Sequence, residues 1–248
     1  MNPGPRIFPT TSQTLVEALN SPDAKRREMS VARFCSAYYP SIYGYARMLG
    51  LREADAQDRA QDFFVEVVRD DLLNRFDPRR GTRFSSWLMK CFKNLEINHR
   101  ASQSRLKRGG GREFVEFDPD HAEHSFRAAH LAQLDPEPTF DLMLAREVWH
   151  VAKAAVIERH AQKNNGALVS DLLPLVLMDR WPPRPVPTQE EMAAKHGTTP
   201  VKLKAFFNRT LKTQARNRFD EAAAVACPGI SMQDINHLWH LLCRYGDE

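Results

Sequence analysis

Two short stretches crowd side chains that could bind a metal or carry protons. Asp118-Pro119-Asp120-His121-Ala122-Glu123-His124 sets five potential ligands within seven positions, and His237, His240 and Cys243 recur every third residue, near one face of a helix. Such sets could serve metal-assisted chemistry. Neither stretch has an identifiable partner to orient its ligands, and histidine and acidic residues are common in solvated segments. A metal-dependent enzyme is therefore the weaker reading, and no metal or other cofactor is expected. The run Gly109-Gly110-Gly111 is no phosphate loop, because the Lys-Ser/Thr continuation is missing. Cys35, Cys91, Cys227 and Cys243 are scattered and form no CxxC pair, which predicts neither a disulfide framework nor a zinc ribbon and suits a reducing cytoplasm. The chemistry that remains is recognition by charge.

The formal net charge over 248 residues is only +4, but it is unevenly spread. Residues 79–112 hold ten Lys/Arg against one acid, net +9, and residues 198–219 hold six Lys/Arg and no acid, net +6, so the remainder carries 4 − 15 = −11. Two separated basic patches predict two contacts on one long polyanion. The N-terminus lacks the basic-then-apolar order of a signal peptide, and the longest nearly apolar run, Leu172 to Met178, is too short for a bilayer, so a soluble protein is expected.

Helical periodicity recurs along the chain without convincing strand alternation, which predicts an all-α fold. Phe34, Tyr38, Ile42, Tyr45, Ala46 and Leu49 outline a first helix that ends at Gly50. In a second, from about Glu53 to Val68, Ala60, Phe63, Phe64, Val67 and Val68 form an apolar stripe, and Asp58, Gln61, Asp62 and Val65 fall opposite. The turn Phe76-Asp77-Pro78-Arg79-Arg80-Gly81 precedes a long helix from about Phe84 to Ser104, and the glycine run after it opens a flexible linker. Periodicity resumes over Phe140 to Gln162 and Leu168 to Leu177, before a Pro-rich connector. Thr188 can then cap a helix containing Glu190 to Ala193. His196-Gly197-Thr198 makes a turn, and Thr199-Pro200 starts the next helix, whose Leu203, Phe206 and Phe207 face inward. This spacing predicts a helix-turn-helix.

These residues carry a family likeness. The chain resembles extracytoplasmic-function sigma factors, in particular a long variant with a Phe-Pro-Thr-Thr arm, here Phe8-Pro9-Thr10-Thr11. The likeness continues through Tyr39-Pro40-x-Ile42-Tyr43-x-Tyr45-Ala46, Gly50-Leu51-x-Glu53-x-Asp55-Ala56-x-Asp58-x-x-Gln61, Asp77-Pro78 before Gly81-x-Arg83-Phe84, Lys107-Arg108-Gly109-Gly110-Gly111 and the final helix-turn-helix. It departs in two places. Gln13 stands where a tryptophan usually follows the arm, and Asn208-Arg209 replaces a His-Arg pair, so promoter preference does not transfer.

The resemblance implies a non-catalytic factor that binds core RNA polymerase, directs it to a promoter and helps melt the duplex. It divides the chain into an N-terminal arm (1–28), a core-binding and melting domain (29–106), a linker (107–139), a helix-turn-helix domain (140–224) and a C-terminal helical extension (225–248). Asp58, Gln61 and Asp62 would dock on the polymerase. Asp77, Arg80, Arg83, Phe84, Trp87, Lys90, Lys93, Asn94, Asn98 and Arg100 would hold the single-stranded minus-ten element, although Phe84 and Trp87 also suit a core by spacing. Thr199, Pro200, Lys202, Lys204, Asn208, Arg209 and Lys212 would meet the duplex upstream element. An anti-sigma or other regulator is a further partner class; a membrane is not. A stand-alone helix-turn-helix regulator is the main alternative. The extension could pack on the DNA-binding module, close over it or bind a partner.

Overall fold

Gly50 turns at a φ of +87°, a conformation open to glycine at little cost, and so ends helix α1 (Ala24–Met48) where the sequence predicts. The computed structural model describes residues 23–69, 72–77, 80, 82–103, 117–130, 134–163, 165–178, 187–227 and 230–246. The Phe-Pro-Thr-Thr arm and the Lys107 to Gly111 run lie outside them. Helix α2 (Glu53–Arg69) starts with Glu53 and Asp55 beside the positive end of its dipole and buries Ala60, Phe63, Phe64 and Val67 of the expected stripe; Val68 is half-buried, and Ala56 joins the buried side. A short 3₁₀ turn, Leu72–Arg75, leads toward α3 (Phe84–Gln103). No strand occurs among the described residues, and the fold is all-α.

Where the sequence predicts a linker, residues 119–130 form a further helix, α4 (Pro119–His130). Its Ala122 and Phe126 are buried in the common core. Its Glu123 reaches α1, where it accepts hydrogen bonds from the Tyr43 hydroxyl (2.5 Å) and Arg47 Nη1 (2.6 Å), and Arg127 Nε donates to it at 2.7 Å. Just before α4, the Phe117 ring stacks on Tyr39 with centroids 4.2 Å apart.

Helix α5 (Pro136–Ala161) begins with proline in its first turn, where a missing N–H costs nothing, and buries eight consecutive residues from Thr139 to Arg146. A stretch of helix buried all round must be central. Against it pack α1, α4, α6 (Gly166–Val176), α9 (Lys212–Ala226) and α10 (Met232–Tyr245). The two predicted modules thus share one apolar core through α5. Gly44 lies where α1 approaches α5: a Cβ there would lie 2.4 Å from the Met143 sulfur and force that side chain to shift. Helix α10, the C-terminal extension, buries Ile235, Leu238 and Leu242, and its Trp239 ring meets Trp149 (5.7 Å) and Phe219 (5.1 Å). The extension is therefore packed on α5 and α9.

Between α6 and α9 lie α7 (Gln189–Lys195), α8 (Pro200–Phe206) and a π-helical turn, Phe207–Leu211, that joins α8 to α9 without a break. Leu203, Phe207, Leu211, Ala215, Phe219 and Ala223 are all buried at strict four-residue spacing. In an α-helix that spacing drifts about 40° per step, or about 200° over five steps. The wider π turn takes back part of the drift and keeps the stripe on its neighbours.

Burial pushes the Glu123 carboxyl up, but hydrogen bonds from Tyr43 and Arg127, aided by the Arg47 charge, outweigh it and hold it below the ordinary carboxylate range. A depressed folded pKa stabilises the fold above the unfolded value, and that stability is lost as the pH falls through the folded value. Glu123→Gln is expected to lower stability by about 1–3 kcal/mol at neutral pH, the range for a hydrogen bond to a charged group. The wild-type advantage should shrink once the pH falls below about 4.3. Denaturant titrations of both proteins across pH check this, and a constant difference would contradict it.

Candidate functional site

The polar face predicted on α2 is largely in water. Asp58 and Asp62 are exposed and Gln61 is half-buried. Asp62 accepts a hydrogen bond from Arg59 Nη1 at 2.7 Å, and Arg59 Nε lies 3.4 Å from the buried Glu96 of α3. Arg59, which the sequence reading did not single out, thereby braces α2 against α3. The face is a shallow acidic and amide patch suited to registering a protein partner.

On α3, Lys90, Lys93, Asn94 and Asn98 are exposed, and Arg100 belongs to the same helix. Ile97, 56% exposed among them, is an apolar side chain that sequence reasoning missed, because periodicity alone assigns an isoleucine to the core. Before the helix, Arg80 projects into water near Asp77, at 3.9 Å, with a side chain 81% exposed.

Three predicted members of this face are engaged elsewhere. The Phe84 ring lies 5.0 to 6.1 Å from Phe34, Tyr38, Phe76 and Trp87, and the Trp87 ring also meets Phe76 at 5.3 Å. Both rings are half-buried parts of an aromatic cluster, which is the core role their spacing allowed. Arg83 donates from Nη1 to Asp141 Oδ2 at 2.6 Å and from Nη2 to Glu137 Oε1, both carboxylates belonging to α5. Glu137 also accepts from Ser86 Oγ. The Ser86 hydroxyl and then, against burial, the Arg83 guanidinium hold the Glu137 carboxyl below its ordinary range.

At the second basic patch, Thr188 caps α7 with a reciprocal pair: its Oγ1 accepts from Glu191 N (3.2 Å), and Glu191 Oε2 accepts from Thr188 N (2.8 Å). Gly197 makes the turn at a φ of +60°. Thr199 Oγ1 accepts from Lys202 N at 3.3 Å, and Pro200 occupies the first turn of α8. Lys195 and His196 both reach Asp171 of α6, at 2.6 and 2.7 Å, which seats the turn on that helix. Lys202, Lys204, Asn208 and Arg209 are exposed, as is Val201 at 78%. Lys212 does not project: its Nζ donates to the Met178 carbonyl (3.3 Å) and sits 5.2 Å from the centre of the Phe207 ring.

Three members of the stretches that could have bound metal are engaged with other partners. His121 pairs with Glu147 at 2.7 Å, Glu123 turns to Tyr43 and Arg47, and His237 Nε2 pairs with Asp141 at 3.2 Å. Among the described residues no group of three or more His, Cys, Asp and Glu converges to hold a metal ion. A cavity of about 510 Å³ between α1, α5 and α9 is walled mainly by alanine and valine, including Ala32, Ala37, Val151, Ala152 and Ala222.

Two exposed cationic helix faces and one polar helix face are thus the features open to partners. Residues 34–106 match the family model of sigma-70 region 2. The matched segment covers α1 from Phe34, all of α2 and α3, and hence the polar face and the first cationic face. The match supports a sigma-70 family sigma factor with a role in transcription initiation. Factors carrying this region are in general non-enzymatic and bind core RNA polymerase and promoter DNA. Comparison with curated proteins and with solved structures gave no match. Among the described residues no helix is long and apolar enough to cross a membrane.

The aromatic and cationic members of the region 2 segment should separate by stability. Phe84→Ala is expected to cost about 2–3 kcal/mol, somewhat less than truncating a fully buried aromatic because the ring is half-buried. Lys93→Ala, on the exposed face, should stay within about 0.5 kcal/mol of wild type. Equilibrium denaturation of the two variants measures this, and equal effects would mean that Phe84 does not serve the core.

Proposed function

We propose that this chain is a sigma factor of the extracytoplasmic-function type that docks on core RNA polymerase through α2, engages the melted minus-ten element with α3 and reads the duplex upstream element with α8. The observation that supports this most is that two exposed cationic faces, each interleaved with amides, stand on separate helices, one of them inside the region 2 match. A single strand needs phosphate contacts and groups that reach unstacked bases; Lys90, Lys93, Asn94 and Asn98, with Ile97 among them, are of those types. A duplex is read by residues at the N-terminal end of a helix, with cations on the phosphates. Thr199, Pro200 and Val201 lead α8, with Lys202, Lys204, Asn208 and Arg209 following.

Asp58 with Asp62 and Gln61 forms the polymerase-facing patch in this reading. Asp58→Arg combined with Asp62→Arg is expected to weaken core binding at least tenfold and shift stability by no more than about 0.5 kcal/mol per exposed site. Unchanged affinity for core in a fluorescence titration would remove this assignment.

Run-off transcription with core polymerase on a promoter library tests the function itself. Initiation at defined sites that requires the chain is the expected result. Tight binding of duplex DNA without polymerase, and no stimulation of initiation, would instead favour a stand-alone regulator. On any promoter found, Asn94→Ala should depress transcription from closed duplex far more than from a pre-opened bubble, which no longer requires unstacking. Equal loss on both templates would place Asn94 outside melting.

A further inference from the structure

Arg83 stands apart from the other cations of the first basic face. Arg83, Lys90 and Ile97 follow one another at seven-residue spacing, close to two helical turns and about 10 Å per step, so Arg83 extends the row from α3 back toward the Asp77–Arg80 turn. Lys90 meets water, whereas the Arg83 fork is filled on both edges, by Asp141 at 2.6 Å and by Glu137. Two acceptor oxygens across a planar guanidinium are also how arginine takes a phosphate.

The two carboxylates are not equivalent. The Asp141 side chain is 2% exposed and is shared with His237 of α10, so it is fixed from two sides. The Glu137 side chain is 45% exposed, and besides Arg83 it accepts a hydrogen bond from the Ser86 hydroxyl. Arg83 itself keeps a third of its side chain in water. An exposed ion pair in high dielectric is easily exchanged, whereas a buried one is not.

We infer that Glu137 stands in for a DNA phosphate on the outer edge of Arg83 in the free protein, and that promoter DNA displaces it while Asp141 keeps hold of the inner edge. This rests on the reading of α3 as a DNA-binding helix. Glu137 then acts as a positioning residue: it keeps the guanidinium oriented and withholds it from other polyanions until a phosphate arrives in place. The C-terminal helix takes part through His237, which helps to fix Asp141.

The test uses the full chain assembled with core RNA polymerase and, as probe, a labelled random-sequence DNA fork in which a duplex continues into a single strand. Arg83→Gln should lower the slope of log K against log salt by about 0.9 if the phosphate belongs to duplex, or about 0.7 if to single strand. Glu137→Gln should raise affinity several-fold when Arg83 is present and clearly less in combination with Arg83→Gln. An equal gain in both backgrounds would be a general charge effect and would overturn the proposal, as would an unchanged slope in Arg83→Gln. If Arg83→Gln alone fails to fold, Arg83→Gln with Asp141→Asn removes both charges together, and the same slope change is expected from that pair. Fork binding by core that the wild-type chain does not increase would remove the reading of α3, and the proposal with it.

Discussion

Over Thr139 to Arg146 the central helix has no side in water, yet it carries an aspartate and an arginine there. Removing one partner from such a buried charge typically costs about 3–5 kcal/mol, so these two groups dictate which elements must meet α5. Asp141 draws in Arg83 from the start of α3 and His237 from α10. Arg146 donates from Nε to the carbonyl of Gly246 and thereby ties down the C-terminal end of α10. Ser41 of α1 also donates to the Phe140 carbonyl. The apolar core supplies most of the driving force, and the polar contacts select the arrangement in which it is buried.

That arrangement accounts for what is left outside. Helices α2 and α3 each give one side to the aromatic cluster around Phe34, Tyr38 and Phe64, so only their far sides can serve a partner. Magnitudes explain the division of labour. Truncating a buried aromatic costs about 3–5 kcal/mol, whereas an exposed ion pair contributes about 0.2–1 kcal/mol. Rings such as Phe84 and Trp87 are therefore retained by packing, and the outward lysines and amides are free to serve recognition. Arg59 links the two roles, since its contacts with Asp62 and Glu96 fix the polar face of α2 relative to the cationic face of α3.

Much of this was legible in the sequence because it rests on local rules. The α2 stripe follows from apolar spacing, the end of α1 from Gly50, and the Thr188 and Thr199 caps from residue type. Helix α4 was not legible. Its Asp118-Pro119-Asp120-His121 start resembles a polar linker, and Glu123 makes sense only against Arg47 and Tyr43, which lie 76 and 80 residues away in sequence. The same limit applies to Arg83 and Lys212, which composition places on exposed basic faces. Their partners, Asp141 and Met178, are 58 and 34 residues distant. The exposure of Ile97 was hidden for the opposite reason, since hydrophobicity alone argues for burial.

The π turn between α8 and α9 sets a limit on how this chain can vary. Because Leu203 through Ala223 follow a single buried file, the outward residues Lys202, Lys204, Asn208 and Arg209 are phased against the interior by counting alone. Exchanging their side chains leaves that phase intact, so the surface of α8 is open to substitution without disturbing its seat. Gaining or losing one residue between Phe207 and Leu211 is a different event, because it would swing one half of the continuous helix by about 100° relative to the other. Homologous chains should therefore diverge freely in letters along this helix while keeping its length constant.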